Sequence, residues 1–546
     1  MYKFFKKYWQ EILLAIFILI AGVLRFYHIN RLEFFTYDQA RDALFIKRMI
    51  VDHEFRLLGT QTSLPGMYLP PFYYYTILPV LWLFRLNPVG IDIYSALVGV
   101  LSVPLVFFVA NKIFGKPAGI FSAGLFAVSP LVVELTRRAW NPNTLPFFIL
   151  LTFYFVYRYF KEKQIKDFLL SFGFYGYSLS LHFGAWTLLP LFVGIWLFRL
   201  VQQIKLKGLR GMRDLGLLGG LGIFGFFVSP LLIFELRHNF FLTSQAKVFF
   251  FDGGHIGPTS GNFVESLTSS LVALFTILIS GRIMVGYGAP LEFAGRLKEF
   301  FSSSWPISVV AQKPFSLSFQ WWGTLIFIFI LILSDWKIFL YIKGKKTNEF
   351  EFPALILIWI WILWGIFASR IYSGKFFFFY YLYLFPAPIL LFGYLFKKIW
   401  EIKLFRLPAL LAFLLIIYFH FHYTTVFRSG WRDINDLHRV ANVISKNVKD
   451  NESFNIATIQ RDLDRWDRNS VDYRYFVETS GGKRALDWEP KDYNNSNFLF
   501  VIDETGVTDV LKSNIMEIQE FGPKEIIGKW QAVENVIVYK LIKGEK

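Results

Sequence analysis

The chain has 546 residues, 55% of them hydrophobic, 20% aromatic and only 18% charged, with a mean hydropathy of +0.43. So apolar a composition over this length excludes an ordinary soluble globular protein. The net charge of +17 does not indicate nucleic acid, because the basic residues sit in short loops between apolar runs, where they mark membrane topology and anionic lipid surfaces. Cysteine is absent, which removes disulfides, thiolate metal sites and thiol nucleophiles from consideration.

In chain order, Lys3, Lys6 and Lys7 precede the first apolar run and no small-residue cleavage site follows. A retained first span from about Ile12 to His28 is therefore expected, with the N-terminus cytoplasmic by the Lys/Arg bias. The run from Pro70 to Phe84 begins Pro-Pro and is rich in Tyr and Trp, which suits a helix lying at the outer interface. Counting it as a crossing would also place Lys112 and Lys116 outside. With that choice, spans alternate near 92–111, 117–135, 144–160, 167–183, 184–202 and 214–234. The clusters Arg158/Lys161/Lys163/Lys166 and Lys205/Lys207/Arg210/Arg213 then fall inside. A long outer loop is expected over 235–320, with an apolar run near 267–283 that stays outside or re-enters. Spans near 321–341, 352–370, 376–396 and 405–423 complete about eleven transmembrane helices.

From Arg428 the composition is that of soluble protein. Asp433 to Val448 has helical periodicity, Phe454–Ile459 and Asn497–Ile502 read as buried strands, and Gly528–Ile542 reads as a strand pair. The expected domains are thus a transmembrane part over 1–427 and a small extracytoplasmic α/β domain over 428–546.

Polar residues gather where the apolar runs meet the outer side. The first outer loop, 30–91, carries Tyr37-Asp38-Gln39-Ala40-Arg41-Asp42. Asp38 and Asp42 stand at helical i,i+4 spacing with Arg41 beside them. If Arg41 pairs with Asp42, Asp38 stays available to take a proton from a hydroxyl. Asp38 also reads as the acidic N-cap of an interfacial helix running from Asp38 to Val51, where the helix dipole keeps it ionised. In the second outer loop, Arg137 and Arg138 run against the positive-inside bias. Either a phosphate ligand or a pair with Glu134 accounts for them, and Asn141 either orients a hydroxyl or starts a turn. Glu235, Arg237 and His238 form a charged cluster after the Ser229-Pro230 break, expected to line the same cavity from the opposite side and to bind substrate or its phosphate. No second His or Cys stands at metal-ligand spacing from His238. Late in the chain, Lys375 in Ser373-Gly374-Lys375 precedes Tyr380. It reads as a phosphate clamp or as an interfacial cation that snorkels.

An outward-facing site restricts the chemistry. Nucleotide-activated donors are cytoplasmic and the chain has no Gly-rich phosphate loop. An outer-face transferase would therefore draw its activated group from a lipid carrier. A transporter or flippase of lipid-linked glycans also calls for outer cations and aromatic grooves. It predicts polar breaks at the bilayer midplane and inverted repeats, and the sequence shows no clear repeat.

These residues resemble the GT-C-fold superfamily of membrane glycosyltransferases, the group that includes protein O-mannosyltransferases and the lipid A aminoarabinose transferase. The resemblance covers roughly 10–425. It rests on Asp38 in the first loop, Pro70-Pro71-Phe72-Tyr73-Tyr74-Tyr75, Arg138-Ala139-Trp140-Asn141-Pro142, and Ser373-Gly374-Lys375 with Tyr380. It implies inverting, metal-independent transfer of a sugar from a polyprenyl-phosphate donor to a hydroxyl acceptor, with no further cofactor and no nucleic-acid partner. Asp38 would be the general base, and Lys375 with Tyr380 would contact the lipid phosphate. The chain departs from the family pattern at Gln39, where Glu is common, at Asn141, where Asp is common, and before Pro70, where a Lys is missing. Those departures bear on donor and acceptor rather than on fold.

Overall fold

The computed structural model describes residues 2–31, 35–62, 66–252, 263–280, 282–284, 316–318, 321–343, 351–372, 378–427, 432–461 and 470–544. Helix α1 covers Tyr2–Phe26, α2 Tyr37–Val51, α3 Phe72–Leu83 and α4 Val89–Phe114. There follow α5 Lys116–Val128, α6 Pro130–Thr136, α7 Leu145–Glu162, α8 Ile165–Ser178, α9 Leu189–Lys207 and α10 Leu215–Arg237. The bundle continues with α11 Phe241–Lys247, α12 Phe263–Ser280, α13 Trp321–Ile342, α14 Glu351–Arg370, α15 Pro386–Glu401 and α16 Arg406–Tyr423.

Each expected span has its helix. Among the described residues seven helices are long and apolar enough to cross a membrane, or eight when α5 and α6, bent by 63°, count as one. The other expected spans fall on α7, α8 and α15, which are shorter or carry more charge. The interfacial run becomes α3, a short apolar helix. The chain is an integral membrane protein.

The bend between α5 and α6 has a specific cause and a specific remedy. Pro130 lacks the N–H that would bond the Phe126 carbonyl one turn back. Arg25, fully buried in the last turn of α1, donates to Phe126 O at 3.4 Å, to Ala127 O at 3.1 Å and to Thr136 Oγ1 at 2.9 Å. The guanidinium therefore replaces the missing donors inside the apolar bundle, where an unpaired carbonyl is costly. Gly99 is what lets it pass, since a Cβ there would lie 2.7 Å from Arg25 Nε.

The apolar run expected to stay outside or re-enter forms α12, with 273–280 buried throughout. Both its ends meet the same ends of neighbouring helices. Ser266, near its start, accepts from Arg370 Nε at 2.6 Å in the last turn of α14. Its final carbonyls lie against Ser129 Oγ (3.1 Å, Leu278 O) and His420 Nε2 (2.6 Å, Ile279 O), the latter near the C-terminal end of α16.

The C-terminal part is a four-stranded sheet. Its strands are β1 Phe454–Ile459, β2 Phe498–Asp503, β3 Lys524–Val533 and β4 Val536–Lys543, in the spatial order β1-β2-β4-β3. β1 and β2 run parallel and the other pairs antiparallel. Helix α17, Ile434–Lys446, is capped by Asp433, whose Oδ1 accepts from the backbone N–H of Asn435 at 2.8 Å. Helix α18, Val471–Gly481, has no counterpart in the sequence expectations and matters most for the site.

Candidate active site

Helix α2 begins where the sequence signals it. Thr36 and Gln39 form a capping box: Gln39 Oε1 accepts from Thr36 N at 3.3 Å and from Thr36 Oγ1 at 2.8 Å. An amide oxygen serves here as a carboxylate would, which gives Gln39 a structural use at the position where Glu is common in the resembled family. Asp38 is then in the first turn, with its side chain 39% exposed.

Behind it the charges are buried in sequence. Arg41 Nη1 lies 3.0 Å from Asp38 Oδ1, and Arg41 Nη2 lies 2.9 Å from Asp42 Oδ1. The expected arrangement, in which Arg41 pairs with Asp42 and leaves Asp38 free, is thus only half realised, because the guanidinium forks to both carboxylates. Tyr74 of α3 donates to Asp42 Oδ1 at 2.9 Å, while Asp42 Oδ2 is buried without a hydrogen-bond partner. Burial raises the pKa of Asp42, and the adjacent guanidinium opposes that shift. For Arg41, burial works against its charge, but Asp42 and then Asp38 outweigh it and raise its pKa well above the ordinary value. The result is one exposed carboxylate held by a buried cation that is itself neutralised from behind.

The loop between α6 and α7, expected on the outer side, is anchored rather than free. Arg137 donates to Tyr27 O at 2.6 Å and reaches Val426 O at 3.5 Å, tying the end of α1 to the chain leaving α16. Arg138 pairs with Glu134 one turn earlier, and Thr425 Oγ1 donates to the other Glu134 oxygen at 2.5 Å. Asn141 Nδ2 donates to Leu181 O at 2.5 Å, and its Oδ1 is buried without a partner. Asp92 was not anticipated: in the first turn of α4 its Oδ1 accepts from Ala139 N at 2.6 Å, between Arg138 and Trp140. A carboxylate inside an apolar run is the signal that could have found it.

Tyr380 is in a 3₁₀ turn, Phe378–Leu384, beside the second loop. Its ring lies 5.5 Å from His182, and Phe379 lies 4.7 Å from Trp140. The structure therefore brings the Trp140-Asn141 turn and the Tyr380 turn together. Lys375 lies outside the described residues.

The cluster at the C-terminal end of α10, expected to bind substrate, is used differently. Glu235 accepts from Leu242 N (2.5 Å), Thr243 N (2.9 Å) and Thr243 Oγ1 (2.5 Å), capping α11. Arg237 and His238 are exposed, and His238 stacks on Phe234 at 3.9 Å. This segment does border the first outer loop, since a Cβ on Gly66 would lie 2.4 Å from Gln245 Cγ. Among the described residues no three His, Asp or Glu side chains gather as a metal site would require.

The helical bundle with a small sheet domain at its C-terminus has the GT-C fold, shared with the solved structures below. The family profile described as dolichyl-phosphate-mannose-protein mannosyltransferase matches residues 69–234, from the entry of α3 into α10. ArnT from Cupriavidus metallidurans, solved bound to undecaprenyl phosphate, superposes with a TM-score of 0.56 at 12% identity, covering 97% of this chain and 98% of that one. The archaeal oligosaccharyltransferase AglB from Archaeoglobus fulgidus, in complex with an inhibitory peptide and a dolichol-phosphate, gives 0.52 at 14% identity, covering 91% and 70%. At these identities the likeness is one of fold. No curated protein sequence matches the chain.

Proposed function

We propose that the protein is a membrane glycosyltransferase that moves a sugar from a polyprenyl-phosphate donor to a hydroxyl on a lipid, glycan or protein at the outer face of the plasma membrane. The fold shared with ArnT and AglB supports this reading, as do the polyprenyl and dolichol phosphates named in their structures and the description of the matching family. The observation that carries it is the Asp38 carboxylate, exposed at the start of α2 and backed by the buried Arg41, Asp42 and Tyr74.

In this mechanism the acceptor O–H gives its proton to Asp38. Its oxygen forms a bond to the anomeric carbon from the face opposite the phosphate. The bond from that carbon to the phosphate oxygen breaks, polyprenyl phosphate leaves with the electron pair, and the anomeric centre is inverted. Lys375 is assigned to the lipid phosphate, and Tyr380 lies at the aromatic turn beside it in sequence. A positioned donor of this kind contributes roughly 3 kcal/mol in a water-poor site. Asn141 Oδ1, buried and unpartnered, is available to a substrate hydroxyl.

The test is transfer by membranes carrying the protein, supplied with radiolabelled polyprenyl-phosphate sugars of several kinds. The expected result is label in an acceptor fraction, free polyprenyl phosphate and an inverted linkage. Label that stays on the donor for every sugar would overturn the reading.

A further inference from the structure

The catalytic helix is gripped from the C-terminal domain. Glu478 on α18 has both oxygens occupied by cations of α2: Arg48 Nη2 lies 2.7 Å from Oε1, and Lys47 Nζ lies 3.2 Å from Oε2. Its side chain is only 3% exposed. Arg48 also reaches Asp487 at 3.4 Å, and Lys47 reaches Asp52 at 3.2 Å. At the other end of α2, Phe35 packs between Tyr475 (5.3 Å) and Phe476 (5.4 Å) of the same α18. Tyr475 further donates to Leu86 O at 2.5 Å, in the α3–α4 connection where Arg85 and Leu86 both have positive φ.

These contacts hold a defined side of α2. Lys47 and Arg48 follow Asp38 by nine and ten residues, which at about 100° per residue puts them about 180° and about 280° around the helix from it. The domain therefore holds α2 on faces other than the one that carries Asp38. A buried carboxylate between two cations resists rotation, because turning the helix would leave an unpaired charge out of water.

We propose that Glu478 is a positioning residue: by locking α2 to the C-terminal domain it sets the direction of the Asp38 carboxylate. The inference rests on Asp38 being the base, and gives residues 428–546 a part in the reaction beyond covering the membrane bundle.

The test uses the full-length protein in membranes and needs no removal of native thiols, since the chain has no cysteine. Glu478→Gln should lower kcat at least tenfold with the donor KM nearly unchanged, as expected when a reacting group is misdirected by about an ångström. In Arg48→Cys/Glu478→Cys, joining the two thiols with a short bifunctional crosslinker should restore most of the lost kcat. A purely structural role would lower the amount of folded protein, leave kcat per folded molecule intact and gain nothing from the crosslink. Full kcat in Glu478→Gln beside an inactive Asp38→Asn overturns the positioning role alone. An Asp38→Asn protein as active as wild type overturns the base assignment, and the positioning role with it.

Discussion

Two carboxylates near helix ends, Asp38 in the first turn of α2 and Glu235 in the last turn of α10, sit in different surroundings. Asp38 keeps a side chain 39% exposed while paired with Arg41, whose guanidinium forks also to Asp42, and Tyr74 holds the same Asp42 oxygen. In the last turn of α10, Glu235 turns back onto the backbone of 242–243 and caps a seven-residue helix, leaving Arg237 and His238 exposed. Both residues carry a carboxylate. Backbone N–H groups of 242–243 occupy both Glu235 oxygens, whereas in α2 the capping task falls to Gln39 and the Asp38 side chain keeps its exposure.

That contrast can be attacked by substitution, beginning with the strongest case. Arg41→Met removes the counter-charge from buried Asp42, and should cost about 3–5 kcal/mol of stability besides abolishing transfer. Thermal unfolding in detergent and the transfer assay would show both. Asp92→Ala deprives Ala139 N of its acceptor and should cost about 1–3 kcal/mol and slacken the Trp140-Asn141 turn. Asp92→Asn keeps an oxygen there and should retain most of the transfer rate, so the two variants compared in one assay isolate the hydrogen bond. Glu235→Gln should lose about 1 kcal/mol from the α11 cap, with transfer within roughly twofold of wild type. Arg237→Ala and His238→Ala should each stay within about 0.5 kcal/mol in melting measurements and leave transfer unaltered. A large loss of transfer in any of these last three would erase the distinction between the clusters.

Much of the fold could be read from the chain because its signals are local. Apolar runs located the expected spans, though the one over 376–396 becomes a 3₁₀ turn and a helix starting at Pro386, Pro-Pro with aromatics gave α3, and buried-strand runs gave β1 at Phe454–Ile459 and β2 within a residue. Helical periodicity gave α17 to within a residue at its start, and α2 starts within a residue of Asp38 but with Thr36, not Asp38, as its N-cap. What escaped depends on partners far apart in sequence. Arg25 meets the carbonyls of a bend about a hundred residues later, and Glu478 meets Arg48 across 430 residues. Helix α18 itself is neither strongly amphipathic nor apolar, since its buried positions 471–478 include Asp472, Arg474 and Glu478. The site was legible in the same uneven way. Asp38, Arg41 and Asp42 assemble within one helix and the Arg138–Glu134 pair is one of the two readings of its loop, whereas the use of Arg137 and Glu235 as anchors appears only once their partners are in place.

The most direct test of the central claim sets Asp38→Asn against Glu235→Gln, each removing one carboxylate charge, in membranes matched for protein level and supplied with the labelled polyprenyl-phosphate sugar the wild type accepts. The account predicts that Asp38→Asn falls at least a hundredfold, the scale of a lost general base, while Glu235→Gln keeps about half or more of the wild-type rate. Equal rates in the two variants would contradict it.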